Sequence, residues 1–202
     1  IFWSEGHDDA VLNKTGLIAR LRANRLQHYN YFAVPNEKSK NFVLKQVNHS
    51  PKFVTLPNTV DDSFYRIKNE SEHETYRKEL GIDKADTVLV QVSQLIHRKG
   101  VKELVEAVSL LPEEQIKTTR LYLVGTGDLY QELDGLIQHL KLEKTVFLLG
   151  NKTKEEVRKW LIASDCFVLN TNIDPNPLTP IEASFCNKPL LLSVKAGNFN
   201  EL

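Results

Sequence analysis

Two carboxylates bracket the stretch of the chain best suited to chemistry, Asp174-Pro-Asn-Pro-Leu-Thr-Pro-Ile-Glu182. It follows an apolar run, Cys166-Phe-Val-Leu-Asn170, that reads as a strand, and it leads into a short helix read as Pro180 to Cys186. Thr179 has the type of an N-cap, Pro180 suits the first helical position, and Glu182 falls at the third, the spacing of a capping box. The free N–H groups of such a helix start attract an anion such as phosphate. A carboxylate reaching past them accepts hydrogen bonds from sugar hydroxyls. The same residues also fit a structural reading, in which Glu182 only caps its helix and Asp174 only opens a turn.

A loop of this kind needs a scaffold. From Thr87 the pattern is regular: strands at Thr87 to Ser93, Arg120 to Val124, Thr145 to Leu149, Cys166 to Asn170 and Pro189 to Ser193. Helices fall between them at Val101 to Leu111, at Leu129 to Leu140 capped by Asp128, and at Lys154 to Ala163 with a Thr153–Glu156 capping box. Five apolar strands separated by helices predict an α/β fold, a Rossmann-like doubly wound parallel sheet covered on both faces. Such sheets bind ligands beyond the carboxyl ends of their strands.

Before this domain the chain reads as part of another. Ile1 to Trp3 ends a buried strand, followed by a polar turn over Ser4 to Asp9. Val11 to Gln27 is an amphipathic helix with Leu12, Leu17, Ile18, Leu21 and Leu26 on its apolar side. Strands at Tyr31 to Val34 and Lys52 to Leu56 flank a helix at Glu37 to Val47. The boundary is placed near Pro57, giving domains 1–57 and 58–202. A polar linker at Arg66 to Arg77 runs into a helix ending at Leu80-Gly81. A start at Ile1 without any methionine, and an end where a helix should open, lead to the expectation of a fragment cut at both ends.

The loops leaving the strands supply the other candidates. Ser93-Gln94-Leu95-Ile96-His97-Arg98-Lys99-Gly100 carries two cations just before a helix, suited to a diphosphate. His97 is the only histidine in a ligand-facing loop. Gly125-Thr126-Gly127-Asp128 allows close backbone approach of a ligand. Tyr130 stands where the dinucleotide fingerprint needs its third glycine, and no Gly-Lys-Ser/Thr end makes a P-loop, so dinucleotide oxidoreductases are disfavoured. Gly150-Asn151-Lys152 and Ala196-Gly197-Asn198 complete the set.

Composition excludes other classes. Lys+Arg and Asp+Glu balance at 26 each, so no net charge draws nucleic acid or an anionic membrane as the main partner. Cys166 and Cys186 lack metal-ligand spacing and read as buried free thiols in a reducing compartment. No metal site or nucleophile–histidine arrangement is visible. No apolar run reaches the roughly 18 residues of a membrane span. Four Asn-x-Ser/Thr sequons, starting at Asn13, Asn48, Asn69 and Asn151, are read as chance.

Taken together, these motifs resemble family-four (group 1) glycosyltransferases of the GT-B fold, retaining enzymes that use nucleotide-sugar donors. Leu56-Pro-Asn-Thr-Val-Asp61 is similar to the family's Pro-Asn-Gly-Val-Asp segment between domains. Ser93 to Gly100 is similar to its Gly-Arg-Leu-x-x-x-Lys-Gly loop, and Val124-Gly-Thr-Gly127 to its Val-Gly-x-Gly turn. Asp174 and Glu182 match the ends of its Glu-x7-Glu motif, and Ala196 to Glu201 resembles its Gly-Gly-x-Pro-Glu segment. The chain departs from the pattern at Gln94, where the family has Arg, at Asp174, where it has Glu, and at Pro175 and Pro177, where it usually has Gly.

The resemblance implies a sugar transferred with retention from a UDP- or GDP-sugar to a glycan or lipid-linked acceptor, in polysaccharide, lipopolysaccharide or glycoconjugate synthesis. No metal or other cofactor is implied, and no nucleic acid. Lys99, Asp174 and Glu182 are the implied catalytic set: Lys99 on the diphosphate, Glu182 on the ribose, Asp174 on the transferred sugar. Donor contacts are implied for Ser93, Gln94, Arg98, Lys99, Gly125, Gly150, Asn151, Lys152, Asn176, Leu178, Thr179 and Glu182. The full-length enzyme is expected in the cytoplasm, with peripheral association at the inner face of the membrane. The fragment itself is expected to bind nucleotide better than it catalyses. Two alternatives stand beside this: a non-catalytic nucleotide-sugar binding module, and a nucleotide-sugar epimerase of the same fold.

Overall fold

The computed structural model describes residues 1–6, 15–200 and 202. The chain divides into two compact units. One comprises Ile1–Thr59, Ile173–Leu178 and Val194–Leu202, and the other Val60–Asn172 and Thr179–Ser193.

In the smaller unit, strands β1 (Phe2–Trp3), β2 (Tyr31–Val34) and β3 (Lys52–Thr55) form a parallel sheet in that order. Helices α1 (Gly16–Leu26) and α2 (Glu37–Leu44) accompany them. Phe32, almost fully buried, centres the core and meets the rings of Phe2, Tyr29 and Phe53 at 6.0, 6.2 and 5.8 Å. The Asn36 side chain caps α2 by accepting from the Ser39 amide at 2.9 Å. The apolar side read for α1 is corrected: Leu17, Ile18 and Leu21 are exposed. The helix joins the core through Leu26, and the Arg22 guanidinium lies 5.9 Å over the Phe42 ring. Val11, Leu12, Asn13, the turn residues His7 to Asp9, and Glu201 lie outside the described residues.

In the larger unit, β4 (Thr87–Val92), β5 (Thr119–Val124), β6 (Val146–Gly150), β7 (Cys166–Leu169) and β8 (Leu190–Leu192) form one parallel sheet. Their order is β6-β5-β4-β7-β8. The chain winds outward from β4 to β6, then crosses to β7 and β8, so the direction of winding reverses between β4 and β7. This is the doubly wound topology expected, and the reversal is where such folds open a crevice.

The helices are α3 (Asp62–Tyr65), α4 (Glu72–Glu79), α5 (Val101–Ser109), α6 (Glu113–Thr118), α7 (Tyr130–His139), α8 (Lys154–Ala163) and α9 (Thr179–Phe185). They cover both faces of the sheet. On β5, Leu121 and Leu123 join a core with Leu104, Val105 and Val108 of α5 and Leu133 and Ile137 of α7. Tyr122, between them, points to the opposite face. There it stacks on Phe147 at 5.0 Å and meets Trp160 of α8 at a tilt, 4.5 Å away.

Three local expectations are corrected. Asp128 does not cap α7; the helix start is fixed by backbone, with Leu129 N donating to Leu95 O at 3.0 Å and Tyr130 N to Gly127 O at 3.1 Å. Thr179 is the first residue of α9 rather than its cap, so Glu182 stands one position further in than a capping box requires. The stretch Arg66 to Arg77, read as a polar linker, is packed into the larger unit. Two of its charges are buried and paired: Glu72 with Arg158 at 3.2 Å, and Arg77 with Asp165 at 3.0 Å.

Arg158 also donates to Phe64 O at 2.6 Å and to Arg66 O at 2.8 Å. Removing it strands the Glu72 carboxylate in a buried site. Arg158→Ala is therefore expected to lower stability by about 3–5 kcal/mol, measured by urea unfolding. Burial alone would raise the Glu72 pKa, but the Lys68 amide and the Arg158 guanidinium outweigh it and hold the carboxyl below its ordinary 4.5. A depressed folded-state pKa contributes stability above the unfolded value and loses it as pH falls through the folded one. Stability should thus fall on acidification below 4.5, and Glu72→Gln should flatten that part of the curve.

Candidate functional site

At the carboxyl ends of β4, β5 and β6 a cleft of about 360 Å³ opens within the larger unit. That size suits a small ligand or part of a larger one. It is lined by Ser93 and Gln94 after β4, Gly125 and Thr126 after β5, Asn151 and Lys152 after β6, and Thr179 at the start of α9. A larger cleft of about 580 Å³ is lined by α4 residues including His73, Arg77 and Lys78. Arg77 pairs with Asp165, just before β7, which puts that cleft by the amino ends of the strands, away from where doubly wound sheets hold ligands.

The walls of the smaller cleft are tied to each other by backbone. Ser93 N donates to Val124 O at 3.0 Å, Leu95 N to Thr126 O at 2.9 Å, and Gly125 N to Gly150 O at 2.9 Å. Gly125 has φ +135°, and a Cβ there would overlap the Ser93 carbonyl oxygen. The Gly-x-Gly turn therefore admits the neighbouring loop at close range while Gly125 also lines the cleft. Across the cleft Thr126 Oγ1 donates to Asn151 Oδ1 at 3.2 Å. Lys152 Nζ lies 3.5 Å from Glu156 Oε1, while Glu156 Oε2 accepts from Thr153 N at 2.8 Å in the expected capping box of α8. The Thr153 amide, then Lys152, hold the Glu156 carboxyl below its usual range.

The loop after β4 continues into a single 3₁₀ turn, His97–Lys99, at the winding reversal. The loop after β7 holds that turn by its carbonyls. Thr171 Oγ1 and Asn172 N both donate to Arg98 O at 2.8 Å, and Asn170 Nδ2 donates to Gly100 O at 3.2 Å. Gln91, 1% exposed inside β4, donates to both ends of the loop: Ser93 Oγ at 3.0 Å and Lys99 O at 3.2 Å. Lys99 is half-buried, and His97 and Arg98 are exposed.

Of the residues singled out from sequence, Ser93, Gln94, Gly125, Asn151, Lys152 and Thr179 line one cleft. Arg98 and Lys99 sit on the adjoining turn, Gly150 ends β6, and Glu182 is half-buried one helical turn past Thr179; these four do not line the cleft. Burial, then the Glu182 carboxylate, push the Tyr65 pKa far up. Asp174, Asn176 and Leu178 belong to the smaller unit. There Asp174 is buried and bridges Ala196, with Gly197 N donating to Asp174 O at 2.7 Å. Asn36 Nδ2 donates to Pro175 O at 3.1 Å and Asn198 Nδ2 to Pro177 O at 2.8 Å, so both prolines contribute carbonyls in place of N–H groups.

Two contributing residues stand outside that set: Gln91, a polar residue between the apolar Val90 and Val92, and Thr126, inside a motif singled out for its glycines. Among the described residues no group of three His, Cys, Asp or Glu side chains gathers as a metal would require, and no helix is long and apolar enough to cross a membrane.

A family model described as Glycosyl transferases group 1 matches residues 72–202. The chain is 27% identical over 186 residues to an uncharacterized glycosyltransferase of Methanocaldococcus jannaschii, covering 88% of this chain and 44% of that one. It is 26% identical over 141 residues to the lipopolysaccharide glucosyltransferase WaaG of Escherichia coli, covering 70% and 37%. The crystal structure of HepE from Anabaena in complex with UDP and glucose matches with a TM-score of 0.80 at 20% identity, covering 99% of this chain and 54% of that one. The chain thus spans less than half the length of these two curated relatives. The structural likeness establishes the fold as that of GT-B glycosyltransferase domains.

The cleft depends on the close approach at Gly125. Gly125→Ala is expected to cost about 3 kcal/mol in urea unfolding, from a forced backbone shift added to an unfavourable φ.

Proposed function

Because the chain belongs to the group 1 glycosyl transferases, we propose that its larger unit holds the nucleoside diphosphate of a UDP- or GDP-sugar, for transfer with retention to a glycan or lipid-linked acceptor. The observation that carries this reading is the cleft where Ser93, Gln94, Gly125, Thr126, Asn151, Lys152 and Thr179 converge at the strand ends, beside the turn bearing Arg98 and Lys99. In this reading the base lies against backbone near Gly150 to Lys152. The diphosphate takes Lys99 and Arg98 as counter-charges, and the ribose hydroxyls donate to Glu182. A departing nucleoside diphosphate gains negative charge in the transition state, and cations already fixed in place stabilise it without reorganising.

The relatives set the biological expectation. WaaG is named for lipopolysaccharide, and HepE has been crystallised with UDP and glucose. By that analogy the full-length protein makes a cell-surface polysaccharide or lipopolysaccharide from the cytoplasmic side of the membrane.

Two measurements test the reading. In a thermal-shift panel of UDP-, GDP- and ADP-sugars, one base should stand out, since a ligand at a hundred times its dissociation constant adds about 2.7 kcal/mol of stability. Lys99→Ala and Glu182→Ala should each weaken binding of that nucleotide by about 1–3 kcal/mol. Unchanged affinity in both variants overturns the assignment.

A further inference from the structure

The Gln91 carboxamide sits inside β4 and is shut off from solvent. Its Nε2 lies 3.2 Å from Lys99 O and 3.0 Å from Ser93 Oγ. A carbonyl oxygen only accepts, so the contact with Lys99 O fixes which end of the amide faces the loop. The amide nitrogen carries two protons, and both are engaged, one on Lys99 O and one on Ser93 Oγ. Ser93 Oγ therefore receives a hydrogen bond from the strand and must direct its own proton elsewhere. That proton goes to Gln94 O at 3.2 Å, long for an O–H···O bond and easily given up to a better acceptor. Ser93 and Gln94 both line the cleft.

The amide is an expensive choice for this position. Its other end, Oε1, is buried with no hydrogen-bond partner among the described residues. A buried acceptor left unpaired destabilises the fold, where an apolar side chain of similar volume would not. Rules of packing are broken in this way chiefly where function requires it. We propose that Gln91 is a positioning residue for the nucleotide site: by donating to Ser93 Oγ it keeps that hydroxyl's proton directed away from the strand, where a phosphate oxygen of the nucleotide takes it in place of Gln94 O. A charged acceptor strengthens such a bond, and the donation from Gln91 polarises the hydroxyl further. The inference rests on the nucleotide reading above. It adds to that reading a neutral donor at Ser93, which stands at the glycine of the family loop, beside Gln94, which stands at its arginine.

The test is calorimetric binding of UDP and GDP, each beside its nucleoside, to the 202-residue chain and to Gln91→Met, Ser93→Ala and the double variant. The better-bound nucleotide should lose about tenfold in affinity in Ser93→Ala, as for one hydrogen bond to a charged group. Gln91→Met should lose about fivefold, and in the Ser93→Ala background it should weaken binding little further, because partners in one network do not add. The nucleoside should change far less in every variant, and thermal unfolding reports that each is folded. Gln91→Leu carries the same test if the methionine variant does not fold. Equal losses for nucleotide and nucleoside make Gln91 a packing residue and overturn the inference. Additive losses, or a loss in Ser93→Ala with none in Gln91→Met, overturn it while leaving the nucleotide reading intact, as does unchanged affinity in both. Binding of neither nucleotide by the native chain overturns the two together.

Discussion

The larger unit depends on one buried guanidinium. Arg158 has a side chain only 9% exposed, and desolvating such a charge costs several kcal/mol unless each donor finds a partner. Here the partners are the Glu72 carboxylate and the carbonyls of Phe64 and Arg66. Because Glu72 opens α4 and the two carbonyls flank Tyr65, one side chain on α8 fastens the whole segment from α3 to α4. A hydrophobic residue of equal volume could fill the space, but it could not fix the direction of those carbonyls. The ion pair therefore specifies a conformation more than it adds stability, and that conformation delivers Tyr65 to α9.

The cleft is built by the same logic on the other side of the sheet's carboxyl edge. Its walls are loops whose backbones bond to one another, from Ser93 to Val124, from Leu95 to Thr126 and from Gly125 to Gly150. Each loop removes freedom from the next, and the glycine at position 125 allows the approach. The 3₁₀ turn carrying Lys99 is gripped from a different strand, by Thr171 and Asn172. A site assembled from four strand ends in this way is formed before any ligand arrives, which lowers the ordering cost of binding.

How far the sequence could be read follows from what each element depends on. The strands were legible because parallel strands are buried on both faces and must be apolar: Thr87 to Ser93 was read and Thr87–Val92 found, Arg120 to Val124 read and Thr119–Val124 found. The capping box at Thr153 and Glu156 was legible because it is local. Errors came where tertiary contacts decide. Residues 66–77 looked like a linker because polarity does not reveal that Glu72 and Arg77 meet partners more than eighty positions away. The apolar residues of α1 looked like a buried face, yet Leu17, Ile18 and Leu21 are exposed. Glu182 has the spacing of a capping box from Thr179, yet α9 already opens at Thr179, so the register is one position off.

Charge accounting then ranks the cations by what they can offer an anion. Lys152 lines the cleft but already faces Glu156, whose own pKa is held down by the Thr153 amide ahead of that lysine. Its net field in the cleft is correspondingly small. Gln94 lines the cleft without any charge, where the family pattern places an arginine fork that could grip phosphate in a bidentate manner. On the proposed reading, the turn at Arg98 and Lys99 brings positive charge beside the cleft floor. That is the turn on which Thr171, Asn172 and Gln91 spend their hydrogen bonds, two of them nearly inaccessible to solvent. Buried polar side chains committed to holding a short turn make physical sense where the direction of the charges on that turn matters more than their number.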